Sequence, residues 1–324
     1  MSQTTAMPSS TPETTCANTP PGKDAFIPLA WAGWRMRIPE HWRLLKVDGS
    51  WRRGFMAVGD PQTAQFQLKW WRPRRRIQGD QWIDRRVRSM RMPDTAVIRN
   101  AAGNREHFSE TAWIPRARGS RKLSRAVWYG YAPRANMVLE IVLNPIAPAG
   151  DRRYFRRRVL PTLAVSPDGE PTWWSAFDAT FRVPAGFRAI EHKLHLGNPM
   201  IRFHNPRGEQ LLLRQLYPAE LALGRREIAF WLRHWPFKEF RRYSASAPIE
   251  PFALTLPSGR ASGVLRRGRK RYRFPFHGIK PHETFTAALE DRSRDRLLIV
   301  EYDARPPLDE QVARSILRHM NTTL

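Results

Sequence analysis

Arg37-Ile38-Pro39-Glu40-His41-Trp42-Arg43 returns later in the chain as Arg182-Val183-Pro184-Ala185-Gly186-Phe187-Arg188, an offset of 145 residues. Continued without a gap, the same offset lays Val58-Gly59-Asp60-Pro61 on Phe203-His204-Asn205-Pro206. It also lays Gln65-Phe66-Gln67-Leu68-Lys69 on Gln210-Leu211-Leu212-Leu213-Arg214. Towards the end of each copy the offset grows to 157, where Phe155, Val159, Leu160 and Leu163 match Val312, Ile316, Leu317 and Met320. Self-similarity of this kind predicts a tandem duplication whose second copy carries extra residues midway. Two long copies make duplicated globular units, not a solenoid. The expected layout is a polar tail over 1–25, a first repeat over 26–166, a link over 167–171 and a second repeat over 172–324.

Working outward, Trp34, Met36 and Ile38 alternate with Arg35 and Arg37, the period of a half-buried strand that Pro39 ends. Further strands are expected over 42–47, 54–58 and 64–71, with Asp60-Pro61-Gln62-Thr63 and Asn205-Pro206-Arg207-Gly208 as matching turns. Asp80 can cap a helix carrying Trp82, Ile83, Val87 and Met90 on one face, with Pro93 as its stop. Its counterpart is expected from Glu220 to Trp235. More strands follow, the clearest over 137–143 and 296–302. Closing helices are predicted over 151–163 and 308–320. Strands, a helix, strands and a helix in each copy predict an α+β fold, two domains of antiparallel sheet covered by helices.

The opening strand ending in Ile38-Pro39-x-x-Trp42, the Asp60-Pro61 hairpin, the middle helix and the final strand-Pro-helix resemble the PsbP/Mog1-like fold. The resemblance spans most of both repeats. It implies an accessory or assembly protein without catalysis, working through a partner, and it transfers no site residues.

Charge is the compositional outlier. The chain has 55 Lys and Arg against 29 Asp and Glu, formally +26. A field of that size draws polyanions such as nucleic acid, an anionic membrane or an acidic protein. With 41% hydrophobic residues and 13 Trp the chain is expected to fold. The lone Cys16 excludes a disulfide framework and a cysteine zinc site. No secretory signal or membrane-length apolar run is read, so the expected compartment is the cytoplasm.

Two basic runs sit at similar places in the copies: Arg116, Arg118, Arg121 and Lys122, then Arg266, Arg267, Arg269, Lys270 and Arg271. Each is read as a loop or hairpin tip able to hold phosphates. Trp70-Trp71-Arg72-Pro73-Arg74-Arg75-Arg76 is the densest mixture of aromatic and cationic groups. On a strand its two tryptophans face opposite ways, leaving one free for a base or a protein partner. Glu191-His192-x-x-His195 lacks the helical spacing of a zinc site, and no P-loop, dinucleotide fingerprint or nucleophile elbow is present. No enzyme activity, cofactor or metal is expected. The leading expectation is a basic binding protein for nucleic acid or another polyanion, with little sequence selectivity. The alternative is an accessory factor gripping an acidic protein through a Trp-rich surface of Trp31, Trp34, Trp42, Trp51, Trp70 and Trp71.

Overall fold

The computed structural model describes residues 25–90, 97–101, 105–115, 125–146, 149–176, 179–234, 248–269 and 282–320. The first unit contains β1 (Phe26–Trp31), β2 (Trp34–Pro39), β3 (Arg43–Gly49), β4 (Arg53–Gly59) and β5 (Ala64–Trp71). α1 (Gly79–Ser89), β6 (Ile98–Arg99), β7 (Glu110–Ile114), β8 (Val127–Ala132), β9 (Met137–Leu143), α2 (Ala149–Tyr154) and β10 (Ala164–Val165) follow. The second unit has β11 (Thr172–Ala176), β12 (Ala179–Val183), β13 (Arg188–His195), β14 (Asn198–His204) and β15 (Gln210–Leu216). It continues with α3 (Ala219–Leu223), α4 (Ile228–Arg233), β16 (Ile249–Leu256), β17 (Gly259–Arg269), β18 (Glu283–Asp291), β19 (Arg296–Ala304) and α5 (Glu310–Arg318).

Each unit builds a seven-stranded antiparallel sheet, and the strand orders correspond: β3-β4-β5-β9-β8-β7-β6 and β13-β14-β15-β19-β18-β17-β16. The turns that set register also correspond. Asp60 Oδ1 accepts from the backbone N–H of Gln62 and Thr63. Asn205 Oδ1 accepts from those of Arg207 and Glu209. Asn136 and Asp295 each close a short 3-10 turn in the left-handed conformation. Asn136 Nδ2 donates to the carbonyls of Pro73 and Arg75, whereas Asp295 Oδ1 accepts from the amides of Ala219 and Glu220. The same fastening of the segment after the third sheet strand is thus kept with donor and acceptor exchanged.

The helix-covered α+β expectation is overturned: strands hold 51% of the described residues and helices 20%. Seven strands about 4.8 Å apart make a sheet roughly 30 Å wide, and one helix about 10 Å across cannot cover it. α1, the longest helix among the described residues, has 11 residues and covers β7 and β8 through Ile83 and Val87. The helix expected over 220–235 is divided, because Gly224 at φ +58° closes α3 and Arg225 is also left-handed. α2 passes into a π turn over Phe155–Val159 and a 3-10 turn over Leu160–Thr162.

Hairpins cover what the helices leave. β1 pairs with β2, and β11 with β12. Trp34, Met36 and Ile38 of β2 and Trp174, Phe181 and Val183 of β11–β12 join the inner faces of both sheets in one apolar core. Across this junction Ala30 N–H donates to Ser175 Oγ at 2.6 Å, and the two residues are 145 positions apart. Contact between equivalent positions is what a local two-fold relation between the units requires.

Candidate functional site

β5 sends Phe66, Leu68 and Trp70 into the core and Lys69 and Trp71 to the opposite face, as the two-residue period demands. Trp70 is buried, with its indole N–H bonded to the Ser50 carbonyl, so it is removed from the candidate binding residues. Trp71 is 41% exposed. Its ring lies 6.4 Å from that of Trp82 on α1, inclined by 32°. Trp82 in turn meets Tyr129 edge-on, which fixes the platform from behind.

An open groove with a volume of about 560 Å³ surrounds this pair, with Phe55, Arg53, Lys69, Arg86 and Glu140 among its walls. The Arg86 guanidinium sits over Trp82 at 5.7 Å, and Lys46 over Phe55 at 5.6 Å. Glu140 accepts from Lys69 at 3.0 Å and from Arg86 at 2.9 Å. The groove therefore combines an aromatic surface, a fixed acceptor and cations on its margin. Arg74, Arg75 and Arg76 lie exposed just beyond β5, on backbone held by Asn136.

The second unit supplies an internal comparison. At the 145-residue offset, Phe55, Trp71 and Arg86 become Met200, Leu216 and Trp231, and Ile299 stands on β19 where Glu140 stands on β9. These four replacements are buried in one apolar cluster with Ala219 and Leu223 of α3. The same face is thus filled in one unit and open in the other.

Arg72 leaves the list of partner-binding candidates. Its side chain is buried, donating from Nη1 to the Ala135 carbonyl at 2.7 Å and to Asp168 at 2.9 Å, and from Nη2 to the Ala32 carbonyl at 3.2 Å. The guanidinium also covers Trp51 at 4.2 Å. Burial brings its pKa down to about 10, with Asp168 opposing the shift.

The basic runs fare differently from expectation. Arg116, Arg118, Arg121, Lys122, Lys270 and Arg271 lie outside the described residues. Arg266, Arg267 and Arg269 belong to β17, so they are not on a hairpin tip. Arg266 is buried. Arg267 is held by Glu250 and Glu310, whose hydrogen bonds raise its pKa further. Arg269 alone of these three faces solvent without an ion pair among the described residues.

The broad tryptophan surface is also absent: Trp31, Trp34, Trp42 and Trp70 are buried and Trp51 is half-buried. On their strands Trp34 and Trp70 face inward while the neighbouring Arg35 and Lys69 face the other way. His192 packs edge-on against Trp31 at 5.3 Å, whereas His195 is exposed. Sequence reading missed Lys69, Arg86, Glu140 and Trp82 as groove residues. The replacement of Arg86 by Trp231 at the repeat offset was the available signal.

No family model and no curated protein matches the sequence. Among the described residues, no helix is long and apolar enough to cross a membrane.

Proposed function

We propose that this chain is a non-enzymatic binding protein for single-stranded nucleic acid, with a base stacked on Trp71 and phosphates held by the arginines around the groove. The observation that carries this reading is exposed Trp71 backed by half-buried Trp82 among Arg53, Lys69 and Arg86, on a face the second unit fills with apolar side chains. Unpaired bases suit an open aromatic platform because every base offers a π face, whereas duplex stacking conceals it. Glu140, held between Lys69 and Arg86, can accept from an exocyclic amine. The overall charge of +26 adds long-range attraction to the strand. Arg116, Arg118, Arg121 and Lys122 belong to the proposal as further phosphate contacts, and so does cytoplasmic residence.

The test is titration of labelled single- and double-stranded oligonucleotides over a range of salt. Trp71→Ala should weaken single-strand binding by about 1–3 kcal/mol, roughly five- to 150-fold, with the salt slope unchanged. Replacing Arg75 and Arg76 together by Gln should instead flatten the slope by about 1.4. Absence of binding at low salt, or full affinity in the Trp71 variant, would sink the proposal. Salt-resistant capture of one acidic polypeptide by a protein blind to oligonucleotides would transfer the groove to a protein partner.

A further inference from the structure

A second cavity, of about 330 Å³, lies where the two units meet, on the other side of the β3–β4 turn from the groove. The second copy of the opening sequence motif contributes Gly186, Phe187 and Arg188 to its lining, and the β1–β2 turn at Ala32-Gly33 holds Arg72 beside it. Arg52, Arg72, Arg74 and Arg188 bring four guanidinium groups into this lining, against the two carboxylates of Asp168 and Glu170.

Those carboxylates are already engaged. Asp168 receives Arg72, and Glu170 faces Arg134 at 3.9 Å. Arg52, Arg74 and Arg188 make no ion pair among the described residues. The Arg72 side chain is 8% exposed, and its Nε is buried without an acceptor. With no exposed surface, that Nε offers the cleft no hydrogen bond, and Arg72 acts on the cleft as a fixed positive charge. Arg188 also acts on Arg72 as a like charge, so the cleft has an excess of positive charge at short range. The Arg72 N–H bonds the Arg52 carbonyl at 2.7 Å, fixing the two chain segments side by side. Gly186, at φ +86° and with open space where a β-carbon would stand, takes the place that His41 holds in the first copy and leaves the rim clear.

The geometry points to a phosphate-binding site in this inter-unit cleft, formed by Arg52, Arg74 and Arg188 over the buried Arg72. Planar guanidinium forks carried on three separate chain segments match the oxygens of a phosphate or a terminal phosphomonoester better than a single carboxylate. The site is separate from the aromatic groove and stands whether or not the groove binds bases.

The experiment follows the melting temperature of the full chain as inorganic phosphate is added at constant ionic strength, held with sodium chloride. A saturable rise is expected, because a ligand that binds only the folded state stabilises it. Arg188→Gln and Arg74→Gln, both at exposed positions, should each weaken the apparent phosphate affinity about tenfold while melting normally without phosphate. Arg260→Gln, at the start of β17 and outside the cleft lining, should leave the response intact, and so should Trp71→Ala.

A 5′-phosphorylated oligonucleotide is then compared with its 5′-hydroxyl counterpart. Tighter binding of the phosphorylated strand, lost in Arg188→Gln, assigns the site to a strand terminus. Equal binding of the two strands assigns it to free phosphate. No saturable phosphate response in the unaltered chain, or one that persists undiminished in both cleft variants, overturns the site.

Discussion

At Gly33 the backbone adopts φ +88°, and a β-carbon built there would lie 2.7 Å from Arg72 Nη2. Gly169 has the same φ with nothing within 4 Å. The pair separates two costs. Gly169→Ala should lose only the left-handed strain, about 1–2 kcal/mol. Gly33→Ala should lose that and part of the Arg72 hydrogen bonding as well, about 3–4 kcal/mol in total. Urea denaturation midpoints compare them directly, and equal losses would show that the Arg72 clamp adds nothing. Arg72→Lys should fail to restore stability, since one ammonium cannot span the two carbonyls, Asp168 and the Trp51 face together. Burial of Arg72 was not legible in the sequence, where a cation at a strand end beside three more arginines reads as surface. Its partners stand 40, 63 and 96 residues away. The opposite orientation of Trp70 and Trp71 was legible, because strand alternation is local.

The elements read from sequence succeed where one periodicity rules and fail where charge outweighs it. α1 follows from Ile83 and Val87 at helical spacing. Strand β17 was misread as a loop through Arg266–Arg269, since a run of cations suggests solvent. Yet Glu250 on β16 and Glu310 on α5 accept from Arg267 there. Glu310 also takes Arg314 at 3.0 Å within α5, so Arg267 alone joins this pair to β17 and, through Glu250, to β16. The Arg267 hydrogen bond holds the Glu310 carboxyl below its ordinary 4.5. A carboxylate with a depressed folded pKa contributes stability that is present above the unfolded value and lost as pH falls through the folded one. Glu310→Gln should therefore be less stable than the unaltered chain at neutral pH, by about 1 kcal/mol or less for so exposed a network. The gap should close as pH falls below 4.5. Chemical denaturation at several pH values measures it, and a gap independent of pH would remove the ionic origin.

At the scale of the whole molecule, the 145-residue offset was legible as repeated sequence, and in the fold it reappears as direct contact between Ala30 and Ser175. What the offset does not encode is the fusion of the two interiors, because the residues responsible belong to different units. Trp174 is fully buried and meets Trp31 at 5.0 Å, Phe203 at 5.0 Å and Trp51 at 6.0 Å. Two of these partners come from the first unit and one from the second sheet. Duplicated units joined by a short link ordinarily unfold in separate steps. A core continuous across both units predicts a single step instead. Differential scanning calorimetry of the unaltered chain should show one transition with equal calorimetric and van't Hoff enthalpies. Trp174→Ala removes the largest shared side chain at a cost of about 3–5 kcal/mol, most of it felt at the junction. The variant should melt earlier and resolve into two transitions, one per unit. Two transitions in the unaltered chain would mean that the junction is a contact between independent domains. A single transition that merely moves down in Trp174→Ala would place the coupling in the hairpins β1–β2 and β11–β12, through the Ala30–Ser175 hydrogen bond and its neighbours.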